Sequence, residues 1–186
     1  MKKIINNLLN KFGLKISKTK IYNFNHIYKK FEKKHNNVII DVGANRGQSI
    51  ENFLKIYGNY EIHCFEPLDN LYNELREKYN HNKNIYINNY ALGEEKKESK
   101  FFKYHNDVNS SFHKPIYGSN WEKKKKRIFN KENLIQEELE VKVLKLDDYF
   151  KNNNLKFIDL LKIDTQGYED KVLNGSREIL SSNKIN

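Results

Sequence analysis

The stretch "VIIDVGANRGQSIENFLKIYG", Val38 to Gly58, constrains the fold more than any other part of the chain. Its first residues are apolar and largely β-branched, as a strand buried on both faces requires. Gly43 and Gly47 then punctuate a turn. After it Ile50, Phe53, Leu54 and Tyr57 recur at the spacing of one helical face, and Gly58 stands where a helix stops. A strand that turns directly into a helix is the first half of a βαβ unit.

The alternation continues. "YEIHCFEP" reads as a second strand halted by Pro67, and "LDNLYNELREKY" as a helix with Leu68, Leu71, Leu75 and Tyr79 on one face. "NIYINNYALG" reads as a third strand. This order predicts a parallel sheet covered by helices, with right-handed crossovers. From Glu94 to Asp148 the pattern loosens. "SKFFKYH" and "EELEVKVLKL" look like an antiparallel pair around a polar, basic insertion that contains "NSSFHKP" and "WEKKKKRIFNKEN". "KFIDLLKID" is the fourth parallel strand by its unbroken apolar character, and "YEDKVLNGSREIL" is one helix, with Glu169 and Asp170 in the first turn where the helix dipole favours acids. The predicted division is an N-terminal helical segment over 1–36 and an α/β domain over 37–186, with the inserted hairpin and basic loop at 94–148.

Length and composition narrow the class. The 186 residues have the size of one domain, and no run approaches the roughly 18 apolar residues of a membrane span. The start "MKKIINNLLNKFGLKI" lacks a signal peptide's unbroken apolar stretch and its cleavage site. Ile4, Ile5, Leu8, Leu9 and Phe12 share one helical face, which either docks on the domain or lies on a membrane surface. A second helical pattern runs from Tyr22 to Lys34. One cysteine, Cys64, excludes an internal disulfide, and the expected location is cytoplasmic. The net charge of +10 leaves nucleic acid, anionic headgroups or anionic substrates open as partners, although a solvated lysine-rich surface explains it as well. Lys123 to Arg127 is a run of five cations flanked by Trp121 and Phe129, either a solvated helix face or a weak single-strand surface.

In an open parallel sheet, ligands bind at the carboxyl ends of the strands. The first strand brings Asp41, Gly43, Asn45 and Gly47 to that edge. The two glycines let a ligand approach the main chain, and the free amides of the next helix point the same way. The second strand ends in Glu66, twenty-five residues past Asp41, where a carboxylate accepts hydrogen bonds from a ribose diol. The turn reads G-x-N-x-G and not G-x-G-x-x-G, which disfavours a dinucleotide's pyrophosphate and favours a nucleoside with an amino-acid tail. Plainer readings exist: Asp41 could bond loop amides, and Asn89 to Ala91 could be turn chemistry.

In combination, "DVGANRGQ", "FEP", "NNYALG", "LDDY" and "LLKIDTQGYEDKVLNG" make the chain resemble the FkbM-like methyltransferases over Val38 to Leu180. The resemblance implies a Rossmann-like, S-adenosylmethionine-dependent enzyme, typically an O-methyltransferase acting on sugars or other hydroxyl-bearing small molecules or glycans. By position it implies that Asp41, Gly43, Asn45 and Gly47 surround the methionine part of the cofactor. It implies Glu66 on the ribose, and Asn89, Tyr90 and Ala91 along the adenine. Asp164 would face the methionine amino group or the acceptor, with Thr165, Gln166 and Glu169 at the rim. Ser110 and Ser111 match a serine pair of the family. A hydroxyl acceptor needs a base near the methyl group; Asp164 is the first candidate and His113 the second, with His105 also in the insertion. No metal-ligand spacing appears.

The resemblance also implies three further strands after the last helix, where only "SSNKIN" follows, so the sheet is expected to stop before its last strands and leave "FIDLLKI" as an edge. Such an edge invites cover by a second chain. Three alternatives stay open: small-molecule methylation, nucleic-acid methylation, for which "DTQGY" stands where N/D-P-P-Y/F is usual, and an inactive cofactor-binding module.

Overall fold

A computed structural model describes residues 37–185. The expected amphipathic helix with its membrane contact at 1–16, and the helical pattern from Tyr22 to Lys34, lie outside these residues. Among them, Val38–Val42 (β1), Glu61–Phe65 (β2), Ile85–Asn88 (β3) and Leu160–Ile163 (β7) form a four-stranded sheet in the order β3-β2-β1-β7. All its pairings are parallel, with Asp41 opposite Cys64 on one side and Lys162 on the other. Helices α1 (Gln48–Tyr57) and α2 (Asp69–Tyr79) are the crossovers that the apolar spacing predicts. Ile50, Phe53, Leu71 and Leu75 are their buried contacts. The α/β class and the parallel sheet with flanking helices are as the sequence indicates.

Three local features differ from the sequence reading. The third strand is split: β3 ends at Asn88, and the chain re-enters at Ala91–Leu92 (β4) in a second sheet, ordered β4-β6-β5. Asn88 explains the break, because its side-chain amide donates to the Cys64 carbonyl at 3.0 Å and so ties the strand end sideways. In the second sheet, Lys97–Tyr104 (β5) and Ile135–Leu144 (β6) pair antiparallel, as their alternation suggests. The basic run between them forms a helix, Asn120–Phe129 (α3), whose N-cap Ser119 accepts from the Glu122 amide at 3.1 Å.

The second feature is "LDDYF", to which the sequence reading assigns no element and which folds as a helix, Leu146–Asn152 (α4). Third, the predicted last helix is two helices, Glu169–Asn174 (α5) and Arg177–Ser181 (α6). Gly175 stands at the break, where close backbone approach demands glycine: a methyl group there would sit 1.9 Å from the Gly93 carbonyl oxygen. Buried Asp147 then starts α6 from outside it, accepting from the amides of Glu178 and Ile179 at 3.1 Å each. β7 is the outer strand of the main sheet among the described residues, and its approach at Ile158 is bridged in parallel by Ile185. The main core lies beneath β1 and β7, where Val38, Ile40 and Val42 meet Phe65, Leu146 and Val172.

Candidate functional site

The carboxyl ends of β1, β2 and β7 open onto a cavity of about 260 Å³. Of the residues that the sequence points to, Gly43, Asn45, Glu66, Ala91 and Asp164 line it, with Thr165, Gln166 and Ser110. Asp41, Gly47, Asn89, Tyr90 and His113 do not.

Why the turn has this form is legible in its hydrogen bonds. The amides of Gly43 and Ala44 both donate to the Phe65 carbonyl, at 3.0 and 3.1 Å, and Gly47 N–H donates back to Ala44 at 2.9 Å. Asn45 N–H donates to Glu66 Oε2 at 2.9 Å. Those loop amides therefore have partners within the protein, while Gln48 and Ser49 of the first turn of α1 line the cavity. Gly43 has φ +78°, and a methyl group on it would lie 2.1 Å from the Asp164 carbonyl oxygen, so glycine is demanded by backbone approach as well as by conformation. At Gly47 the missing side chain makes room for Leu75 and Tyr79 of α2, so this glycine serves helix packing.

Glu66 is the polar group the turn is built around. It is buried, with Oε1 accepting from Leu68 N–H at 3.0 Å and Oε2 from Asn45. Burial pushes its carboxyl up to about 7, although the Leu68 and Asn45 amides pull the other way. Each oxygen retains a second lone pair, and Glu66 lines the cavity.

Asp41 is placed one layer deeper than expected. It is fully buried, bonded by the Ser49 hydroxyl and ion-paired with Lys162 at 2.8 Å. Lys162 also donates to the Gly43 carbonyl at 3.0 Å and itself reaches the cavity wall. The sequence reading missed Lys162; its signal is a cation at an inward position of an otherwise apolar strand. Asn89 donates to Asp69 at 2.6 Å on the exposed side, and Tyr90 packs on Phe65 with ring centroids 5.5 Å apart. Both lie off the cavity because the chain leaves the main sheet at Asn88. Burial holds the Tyr90 phenol well above its ordinary range. The apolar wall comes instead from Ala91, Leu92, Phe101 and Phe112, the last two supplied by the insertion.

Across the cavity, Asp164 Oδ1 accepts from the Gln166 side-chain amide at 2.9 Å. Its other oxygen makes no hydrogen bond among the described residues. Gln166 is left-handed, φ +55°, and the loop is fixed from both sides. Glu169 accepts from the Thr165 amide at 2.9 Å and the Gly167 amide at 3.0 Å. Partial burial raises the Glu169 carboxyl, and the amide donors outweigh it to leave it below its usual range. From the insertion, Ser111 Oγ donates to the Gln166 carbonyl at 2.8 Å and His113 Nε2 to the Gly167 carbonyl at 3.0 Å. Phe112 stacks on Tyr168 at 4.1 Å. Ser111 and His113 thus fasten the insertion to the Asp164 loop.

A parallel α/β sheet with a buried acid at the end of its second strand is a Rossmann-like architecture. The family model for the methyltransferase FkbM domain matches residues 41–186, and the chain belongs to that family. No curated protein and no solved structure matches it. No helix among the described residues is long and apolar enough to cross a membrane, and none of their acidic, histidine and cysteine side chains cluster as a metal site would require.

Proposed function

We propose that this methyltransferase uses S-adenosylmethionine to O-methylate a sugar or another hydroxyl-bearing small molecule or glycan. The observation that carries the reading is Glu66: a buried carboxylate on the cavity wall, held by two main-chain amides and in no ion pair among the described residues. A vicinal diol supplies the two donors that such a group lacks. The donor set fits an adenosyl group in a second respect, since Ala91, Leu92, Phe101 and Phe112 offer an apolar slot for a base.

When bound, the cofactor supplies a methyl group already activated by a sulfonium. The protein's work is then to bind, align and exclude water. Glu66 takes the ribose hydroxyls. Gly43, with its carbonyl fixed by Lys162, keeps the floor of the cavity free of side chains. Asp164 accepts the proton of the acceptor hydroxyl on the oxygen that Gln166 leaves free, and Gln166 fixes the orientation of the carboxylate. The Ser111 and His113 fastenings hold that loop against the insertion.

Calorimetric titration of the full chain with S-adenosylmethionine tests the reading. Saturable binding that falls roughly ten- to a hundredfold in Glu66→Ala is the expected result, from a charge-assisted bond of about 1.5–3 kcal/mol. Unchanged affinity in that variant would refute the ribose assignment. Asp164→Asn is expected to slow transfer to a hydroxyl acceptor by roughly 10²–10⁴ while cofactor affinity stays within a few-fold.

A further inference from the structure

We infer that α3 and the turn before it form a docking surface for an anionic lipid bilayer. No residue of α3 lines the cavity, and the inference does not depend on the proposed chemistry. Ile116 is 79 % exposed, Tyr117 89 %, Trp121 43 % and Ile128 61 %, an unusual density of large apolar side chains left in water. On a 100° helical wheel Trp121, Lys124 and Ile128 fall along one side, and Lys123 and Arg127 follow on the next. Lys123, Lys124 and Arg127 are exposed and make no ion pair or side-chain hydrogen bond among the described residues. Apolar anchors bordered by solvated cations are the pattern of a helix lying in the plane of an anionic interface.

Two observations favour lipid over single-stranded nucleic acid. Ile116 and Ile128 are aliphatic and cannot stack on bases, whereas they gain from hydrocarbon. The Trp121 ring is already contacted, with Lys125 5.6 Å from its centroid and Tyr104 packed edgewise at 6.3 Å. The surface adjoins the rim of the cavity. Lys125 donates to Asn109 at 3.2 Å, in the same short turn as Asp107 and Val108, which line that rim. Val108 is itself exposed. Seating α3 on a membrane therefore brings the rim to the headgroup layer.

The test is sedimentation of the full chain with vesicles of phosphatidylcholine containing about one-third phosphatidylserine. Binding is expected, with little to pure phosphatidylcholine and a steep fall with salt. Three cations near such a surface are worth roughly a hundredfold together, so K123Q/K124Q/R127Q is expected to bind on the order of a hundredfold more weakly. I116S/I128S removes only exposed side chains and is expected to weaken binding at least tenfold with an unchanged melting curve. Wild-type strength in both variants would overturn the inference, because another part of the chain would then be the anchor. Absence of vesicle binding would overturn it too, as would retention on a single-stranded oligonucleotide that alone is lost in K123Q/K124Q/R127Q.

Discussion

Lys162 Nζ lies 2.8 Å from Asp41 Oδ1 and 3.0 Å from the Gly43 carbonyl oxygen, so a single ammonium joins β1 and β7 where both strands end. Asp41 is fully buried, and its carboxylate depends on that cation and on Ser49. Lys162→Met leaves a buried charge unpaired, and a loss of about 3–5 kcal/mol is expected. Asp41→Asn in the same chain should recover much of it. Urea denaturation of both single variants and the double measures the coupling; simple additivity would show that the pair does not act as one unit.

Glu66 makes stability and ligand binding depend on pH in opposite senses. Its folded carboxyl titrates near 7 against an ordinary 4.5, so the folded state holds the proton more tightly. That contribution is complete below about pH 4.5 and is lost as pH rises through 7, roughly 3 kcal/mol in all. Buried His63 is displaced the other way, mainly by desolvation, and loses stability on acidification. The difference between wild type and Glu66→Gln isolates the Glu66 slope in melts from pH 4.5 to 8. On the proposed reading, S-adenosylmethionine affinity strengthens from pH 6 to 8 in the wild type and is flat in Glu66→Gln.

Gly43→Ala combines a left-handed conformation with a methyl group 2.1 Å from the Asp164 carbonyl oxygen. Strain of this kind costs about 1–3 kcal/mol before the clash is counted. We expect the melting temperature to fall by at least about 5 °C and the separation of β1 and β7 to open at the site. A stable Gly43→Ala protein with unaltered ligand affinity would contradict the close approach of these two strand ends.

Asp147→Ala removes the acceptor for the first amides of α6 while leaving the core of α4 in place. A loss of about 0.5–2 kcal/mol is expected, as for other helix caps. Hydrogen exchange should show it locally, at Glu178 and Ile179, and unaltered protection there would mean that the amides have other partners.

β1, α1 and β2 are legible because their apolar periodicities are unbroken and they stop at Gly43, Gly58 and Pro67. The rule that ligand sites lie at strand ends brings Gly43, Asn45 and Glu66 together, and the family resemblance adds Ala91 and Asp164. What escaped was set by contacts remote in the chain. The two-residue strand at Ala91 and Leu92 pairs with Val143 and Leu144, more than fifty positions away, so "NNYALG" reads locally as one continuous strand. Asn89 and Tyr90, which the resemblance sets along the adenine, therefore lie off the cavity. Asp41 looks like a ligand contact from its place in the motif, and only the register of β7 reveals that Lys162 claims it. The α5–α6 break is hidden because Gly175 alone is tolerable within a helix, and its close approach to Gly93 is remote in the chain.

That last contact ties two positions together in sequence drift. Local preference would replace Gly175 with alanine and merge two short helices into a longer one, yet the alanine methyl would strike the main chain at Gly93. Descendants of this chain are therefore free to lengthen that helix only after the loop following β4 has been rebuilt, which makes the glycine pair a ratchet holding the C-terminal layer in its present outline.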